Sequence, residues 1–236
     1  VINSNHDDFV KGAVAKGISR DSAEKIFEHI LYFGGYGFKK CHSICYALIA
    51  YQTAYLKAHY PAEFMAALMT YEMGDSDKLT QYLQEARRMG LGVLPPDVNE
   101  SDKDFTVVAD DTVRFGLQAV KGVGGKAVEA ILAARQQEGG FRSLHQFCEA
   151  VDHRQVHKAV IESLVKCGAF DSLAARRAQL LAALDGAMRA GERVQADRRI
   201  GQMNIFDQLA DGTAVAEPPQ LPDVPEFPEP RLLAFE

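Results

Sequence analysis

The sequence contains no tryptophan, four cysteines, and no uninterrupted apolar run of the roughly 18 residues that a membrane span requires. Cys41, Cys45, Cys148 and Cys167 are too few and too scattered over 236 residues for a disulfide scaffold, so reduced thiols are expected. The opening VINSNHDDFV carries two early acids and lacks the basic-then-apolar order of a secretory signal. These absences predict a soluble, cytoplasmic chain with no membrane partner. With 47% hydrophobic and 25% charged residues, the composition is ordinary globular chemistry, not that of a disordered or fibrous chain. The opening without Met and the close at RLLAFE read as the ends of a fragment.

The net charge of −6 conceals three unlike regions. Residues 1–111 carry 11 basic and 16 acidic side chains, residues 112–200 carry 14 and 9, and residues 201–236 carry 1 and 7. A basic block between two acidic ones suits a polyanion-facing segment followed by a solvated acidic tail. An ordinary charged helical surface accounts for the same asymmetry.

Periodicity predicts a mainly α fold. Ala23, Ile26, Phe27, Ile30 and Leu31 recur at helical spacing up to Gly34-Gly35, and a second helix is expected over 42–58, with Ile44, Leu48, Tyr51 and Tyr55 along one side. Pro61 opens a short helix over 62–69, and another spans about 76–89 before Gly90. LGVLPPDVN and FTVVADDTVRFGL read as two strand-like pieces around an Asp-Asp turn. Helices follow over 125–137, 143–151, 154–167 and 173–199; from residue 208, six prolines and no helical period suggest an extended linker that contributes no core.

Three constellations bear on function. In AVKGVGGKAVEAI, Gly122, Val123 and Gly124 precede a helix, as in a helix-hairpin-helix turn, with Lys121 and Lys126 beside them. Glycines remove Cβ atoms, so backbone amides at a helix start approach a phosphate oxygen closely, and the contact reads no base. A tight turn without a ligand would look the same. A degenerate second copy, VDHRQVHKAVIESLVKCGAFDSL, has its small-residue turn at Cys167-Gly168-Ala169, with Arg154, Lys158 and Lys166 available for phosphates, which tilts the reading towards duplex DNA. In GYGFKKCHSICYALIAY, Lys39, Lys40, His42 and Ser43 sit at the mouth of a helix, a setting that suits a triphosphate, with Tyr46 one turn on; a solvated Lys pair, a capping His and core tyrosines are the plain alternatives. Cys41, His42 and Cys45 lack a second ligand pair for zinc, so no metal site is expected.

GYGFKKCHSICYALIAYQTAYLKAHYPAEFMAALM resembles the fingers of the bacterial C-family replicative DNA polymerases, the polymerase III alpha subunit family. LPPDVNESDKDFTV, RFGLQAVKGVGGKAVEAI, LVKCGAFDSL and RLLAFE resemble that family's successive landmarks in order, so the likeness covers nearly the whole chain. The resemblance implies a fingers part over 1–110 and a tandem helix-hairpin-helix element over 111–172. A basic helix over 173–207 would end in a clamp-binding motif, and 208–236 would form a linker towards a further domain. It implies that Lys40, His42, Ser43, Tyr46 and Gln52 face an incoming deoxynucleoside triphosphate. Lys121, Gly122, Val123, Gly124, Lys126, Arg154, Lys158, Lys166 and Gly168 would face duplex DNA. The family turn is usually Asn-Lys-Ser-His-Ser; Lys39 and Cys41 replace its Asn and first Ser.

Gln202, Ile205 and Phe206, in the form Gln-x-x-aliphatic-Phe, resemble the family's motif for the sliding clamp; a helix end folding back on its own core is the alternative. Other replicase subunits are implied partners. The family's nucleotidyl transfer uses palm carboxylates and two magnesium ions, expected upstream of Val1, so no catalytic residue and no cofactor are assigned within this chain. A non-enzymatic tandem-hairpin DNA-binding module and a clamp adaptor are the competing functions, and the Lys-His-Ser turn, which a plain binding module does not need, argues against the first.

Overall fold

The structure is a computed structural model that describes residues 3–36, 40–200 and 220–235, and the chain divides into two units, Val1–Leu56 and Lys57–Glu236. In the first, α1 (His6–Ala15) opens with Asp7 and Asp8, which suit its positive end, and packs on α2 (Arg20–Tyr36). Phe27, 3% exposed, is held between the rings of His6 and Phe9, at centroid distances of 4.7 and 5.4 Å. α2 runs through Gly34 and Gly35, where the sequence pattern predicts its end. Each interior glycine costs only about 1 kcal/mol, which a helix already nucleated tolerates for another turn. α3 (Lys40–His59) buries none of its side chains, and Ile44, Leu48, Tyr51 and Tyr55 on its expected apolar side are all exposed.

In the second unit, Pro61 starts α4 (Pro61–Tyr71), while Asp75 caps α5 (Ser76–Arg88) by accepting from Asp77 N and Lys78 N at 3.1 Å each. Met65, Met69, Leu79, Ala86, Phe105 and Val113 form one core between these helices and a small sheet. That sheet has three strands, β1 (Gly92–Leu94), β2 (Thr106–Ala109) and β3 (Thr112–Arg114), in the order β1-β3-β2. β1 lies parallel to β3, and β2 antiparallel to it across the Asp110-Asp111 turn.

A larger core follows, built by α6 (Gly125–Glu138), α7 (Leu144–Ala150), α8 (Lys158–Lys166) and α9 (Arg177–Ile200). Phe147 lies at its centre, edge-on to Phe141 and Phe170 with both centroids at 4.9 Å. Asn99 stitches the Pro-Pro segment to this body, donating to Phe141 O and accepting from Phe141 N at 2.8 and 2.7 Å. α8 starts four residues later than the sequence predicts, because Gln155 N and Val156 N turn back onto Asp152 O. α9 also starts late, behind the 3-10 turn Asp171–Leu173 and the left-handed Ala174. The expectation that the proline-rich end contributes no core is corrected: Leu221 packs on this core, and a short helix, α10 (Glu229–Leu233), follows it. No described helix is long and apolar enough to cross a membrane.

Candidate nucleic-acid interface

Val120–Gly124 forms the first hairpin turn. Val123 N donates back to Val120 O at 3.0 Å, and Gly122 takes φ +86°, a left-handed conformation that glycine adopts without cost. A Cβ on Gly122 would come within 3.2 Å of Ser163 Oγ on α8, so this glycine is also needed where the turn meets the second repeat. Gly124 differs. Its φ of −83° and ψ of 156° suit any residue, and a Cβ there would meet nothing within 4 Å. No internal contact therefore demands a glycine at 124.

α6 begins directly after Gly124 with no side-chain cap and no acid in its first turn. The amides of Gly125, Lys126 and Ala127 find no acceptor among the described residues. Lys121 and Lys126 are exposed beside them, and neither has an ion-pair partner among the described residues. Free amides, a positive helix end and two unpaired ammonium groups together make an anion-accepting surface. Val123 drops out of the expected set: its side chain is buried in the core and its amide is already bonded.

The Cys167-Gly168-Ala169 turn of the second repeat is closed, although α8 in the same repeat, like α6, starts with no side-chain cap and no acid in its first turn. Gly168 also has positive φ, +83°, but its open side is filled: a Cβ would fall 2.3 Å from Arg177 Nη2. Arg177 Nη2 bonds Asp171 Oδ2 at 2.7 Å, and its Nη1 donates to Lys166 O at 2.9 Å. The Arg177 guanidinium thus occupies the space in front of Gly168. The cations of the repeat are also committed: Arg154 lies 3.0 Å from Asp152, Lys158 2.7 Å from Asp185, and Lys166 3.7 Å from Glu162. The hydrogen bond to Asp185 raises the Lys158 pKa and lowers that of Asp185. Sequence reasoning missed Asp171, Arg177 and Ser163; the partners stand six residues or more apart across helix boundaries, where no short-range pattern links them.

Lys40 is the first described residue of α3, and the rings of His42 and Tyr46 lie one turn apart, tilted at 53° with centroids at 4.5 Å. Ser43 lies in the same two turns. Gln52 lies ten residues beyond His42, about 15 Å further along the axis, so the helix does not gather it with the others. Lys39, Gln202, Ile205 and Phe206 lie outside the described residues. Burial pushes the Cys148 thiol up to about 12 and the Cys167 thiol up to about 11, whereas Cys41 and Cys45 are exposed.

Residues 90–180 match the helix-hairpin-helix motif family, which includes both repeats. That motif is therefore part of the chain. Over 228 residues, 97% of its length, the chain is 45% identical to the DNA polymerase III subunit alpha of Neisseria meningitidis serogroup B. It is 42% identical over 218 residues to that of Thermus aquaticus, and 44% identical over 203 residues to that of Escherichia coli K12, covering 92% and 86% of this chain. The chain spans about one fifth of the length of these relatives, 20%, 18% and 18%. The resemblance seen in the sequence thus extends along nearly all of it.

Proposed function

We propose that this chain is the part of a DNA polymerase III alpha subunit that grips duplex DNA, in the cytoplasm, through sequence-independent contacts to phosphate. The observation that carries this reading is the start of α6, with uncapped amides, an open Gly124, and Lys121 and Lys126 unpaired among the described residues. Every one of these donors is backbone or ammonium, so a duplex of any sequence satisfies them equally. Gly124→Val fills the open side without an internal clash and should weaken duplex binding about tenfold or more, measured by fluorescence anisotropy on two unrelated sequences. Binding within twofold of the parent would overturn the reading.

The same proposal gives Lys40, His42, Ser43 and Tyr46 the incoming triphosphate, through charge-assisted bonds at a positive helix end. In the intact polymerase, Lys40→Ala should lower kcat/KM for nucleotide, and unchanged nucleotide kinetics would remove Lys40 from the site. Gln52 is set aside as a contact in this group. Gln202, Ile205 and Phe206 would engage the sliding clamp, with roughly micromolar affinity for so short a segment; Ile205→Ala with Phe206→Ala should abolish clamp binding and leave duplex affinity intact.

Two-metal nucleotidyl transfer needs carboxylates that converge on the ions. Among the described residues, no three His, Cys, Asp or Glu side chains gather in this way; Asp75 is spent as a helix cap, and Asp110-Asp111 form a turn. These residues do not fit a magnesium pair, so the chemical step is assigned to other parts of such an enzyme.

A further inference from the structure

Residues 222–226 are bonded to the start of α9. Glu226 Oε2 accepts from Arg177 N at 2.8 Å, and Glu226 Oε1 accepts from Ala178 N at 3.0 Å and Phe227 N at 2.9 Å. Arg176 Nη1 donates to Val224 O at 2.8 Å and lies 3.5 Å from Asp223 Oδ1, while Gln179 Nε2 donates to Pro222 O at 3.1 Å. Arg176 N is satisfied by Gln179 Oε1 at 3.2 Å, so the first three amides of this helix end are all bonded to side chains. Apolar packing plays the smaller part: Leu221 rests on the core, but a cavity of about 450 Å³ lies beside it, lined by Leu144, His145, Leu180 and Gln220 among others.

We propose that residues 220–226 are a clasp in which Glu226 serves as a built-in anion for the N-terminus of α9, returning the chain that leaves this helix at Ile200 to the helix's other end. The clasp joins the first turn of α9 to a segment 49 residues later in the chain. Charge complements the geometry: a carboxylate meets the positive end of a long helix, with Arg176 and Arg177 on the same turn. Burial raises the Glu226 pKa, but the amides of Phe227, Ala178 and Arg177 outweigh it and hold the carboxyl below its usual value. Removing this one side chain would free the amides of Arg177 and Ala178 and leave only Arg176 N bonded, to Gln179. The segment is thereby part of the hairpin body, not a free linker.

The test uses the full chain without DNA, so it stands apart from the duplex reading. Hydrogen exchange is followed residue by residue in the parent, Glu226→Ala and Arg176→Ala. In Glu226→Ala, the amides of Arg177 and Ala178 should exchange at least tenfold faster; inorganic phosphate should restore part of that protection in the variant and change nothing in the parent. In Arg176→Ala, exchange should rise within 220–226 while α6, α7 and α8 keep their protection. Unchanged exchange at Arg177 and Ala178, an equal phosphate effect on parent and variant, or loss of protection throughout the body in both variants would overturn the proposal.

Discussion

The helices α6 and α9 each follow a glycine turn of the same hairpin body and solve the same problem in opposite ways. α6 opens after Gly124 on bare amides with two unpaired lysines beside them among the described residues. α9 opens after the Gly168 turn with its amides bonded to Gln179 and Glu226, while the turn itself lies under Arg177. A helix end left unsatisfied by its own chain is available to a phosphate, and one satisfied from within holds the fold together. The two glycine turns therefore present different surfaces.

The sharpest way to break this comparison is to place valine at each turn. Gly168→Val combines a positive φ with a Cβ that collides with Arg177 and dislodges its bonds to Asp171 and Lys166, so it should cost about 3 kcal/mol in chemical denaturation. Gly124→Val should cost only about 1 kcal/mol, the ordinary loss for an apolar residue at a helix cap, while weakening duplex binding about tenfold or more. Equal stability losses would erase the distinction between the two turns.

A second test is acid. Because the folded Glu226 carboxyl is held below its ordinary value of 4.5, its contribution is present above that value and is lost as pH falls through the lower, folded one. Arg176, Arg177, Asp171 and Asp223 face or adjoin it. The Arg177 and Ala178 amide resonances should shift together below pH 4.5 while those of Gly125 and Lys126 stay in place, and a shift completed above 4.5 would contradict the clasp. The smallest effect concerns thiols: near neutral pH, iodoacetamide should label Cys41 and Cys45 and spare Cys148 and Cys167, as counted by intact mass. Four rapid additions would contradict the burial of the latter pair.

Much of the fold was legible because helical periodicity and breakers such as Pro61 and Gly90 act locally. The mainly α character, the two strand-forming stretches and the first hairpin all follow from such signals. What failed was long-range. Gly34 and Gly35 looked like a stop, but the helix continues through them; Gly168 looked like a second phosphate turn until Arg177, on another helix, closed it. The cation sum over 112–200 does not show that Lys158 has Asp185, 27 positions away, at 2.7 Å. Glu226 reaches a helix start 49 residues earlier in the chain, and a proline-rich composition gave no hint of it.

Salt dependence distinguishes a first repeat that meets phosphate from a second that does not. Duplex affinity is measured against salt concentration for the parent, for Lys121→Ala with Lys126→Ala, and for Lys158→Ala with Lys166→Ala. Each phosphate that is no longer neutralised should flatten the log–log slope by about 0.9. The first pair should therefore flatten it by about 1.8 and weaken all duplexes alike, while the second leaves slope and affinity near those of the parent. Equal flattening by both pairs, or flattening by the second alone, would contradict the account.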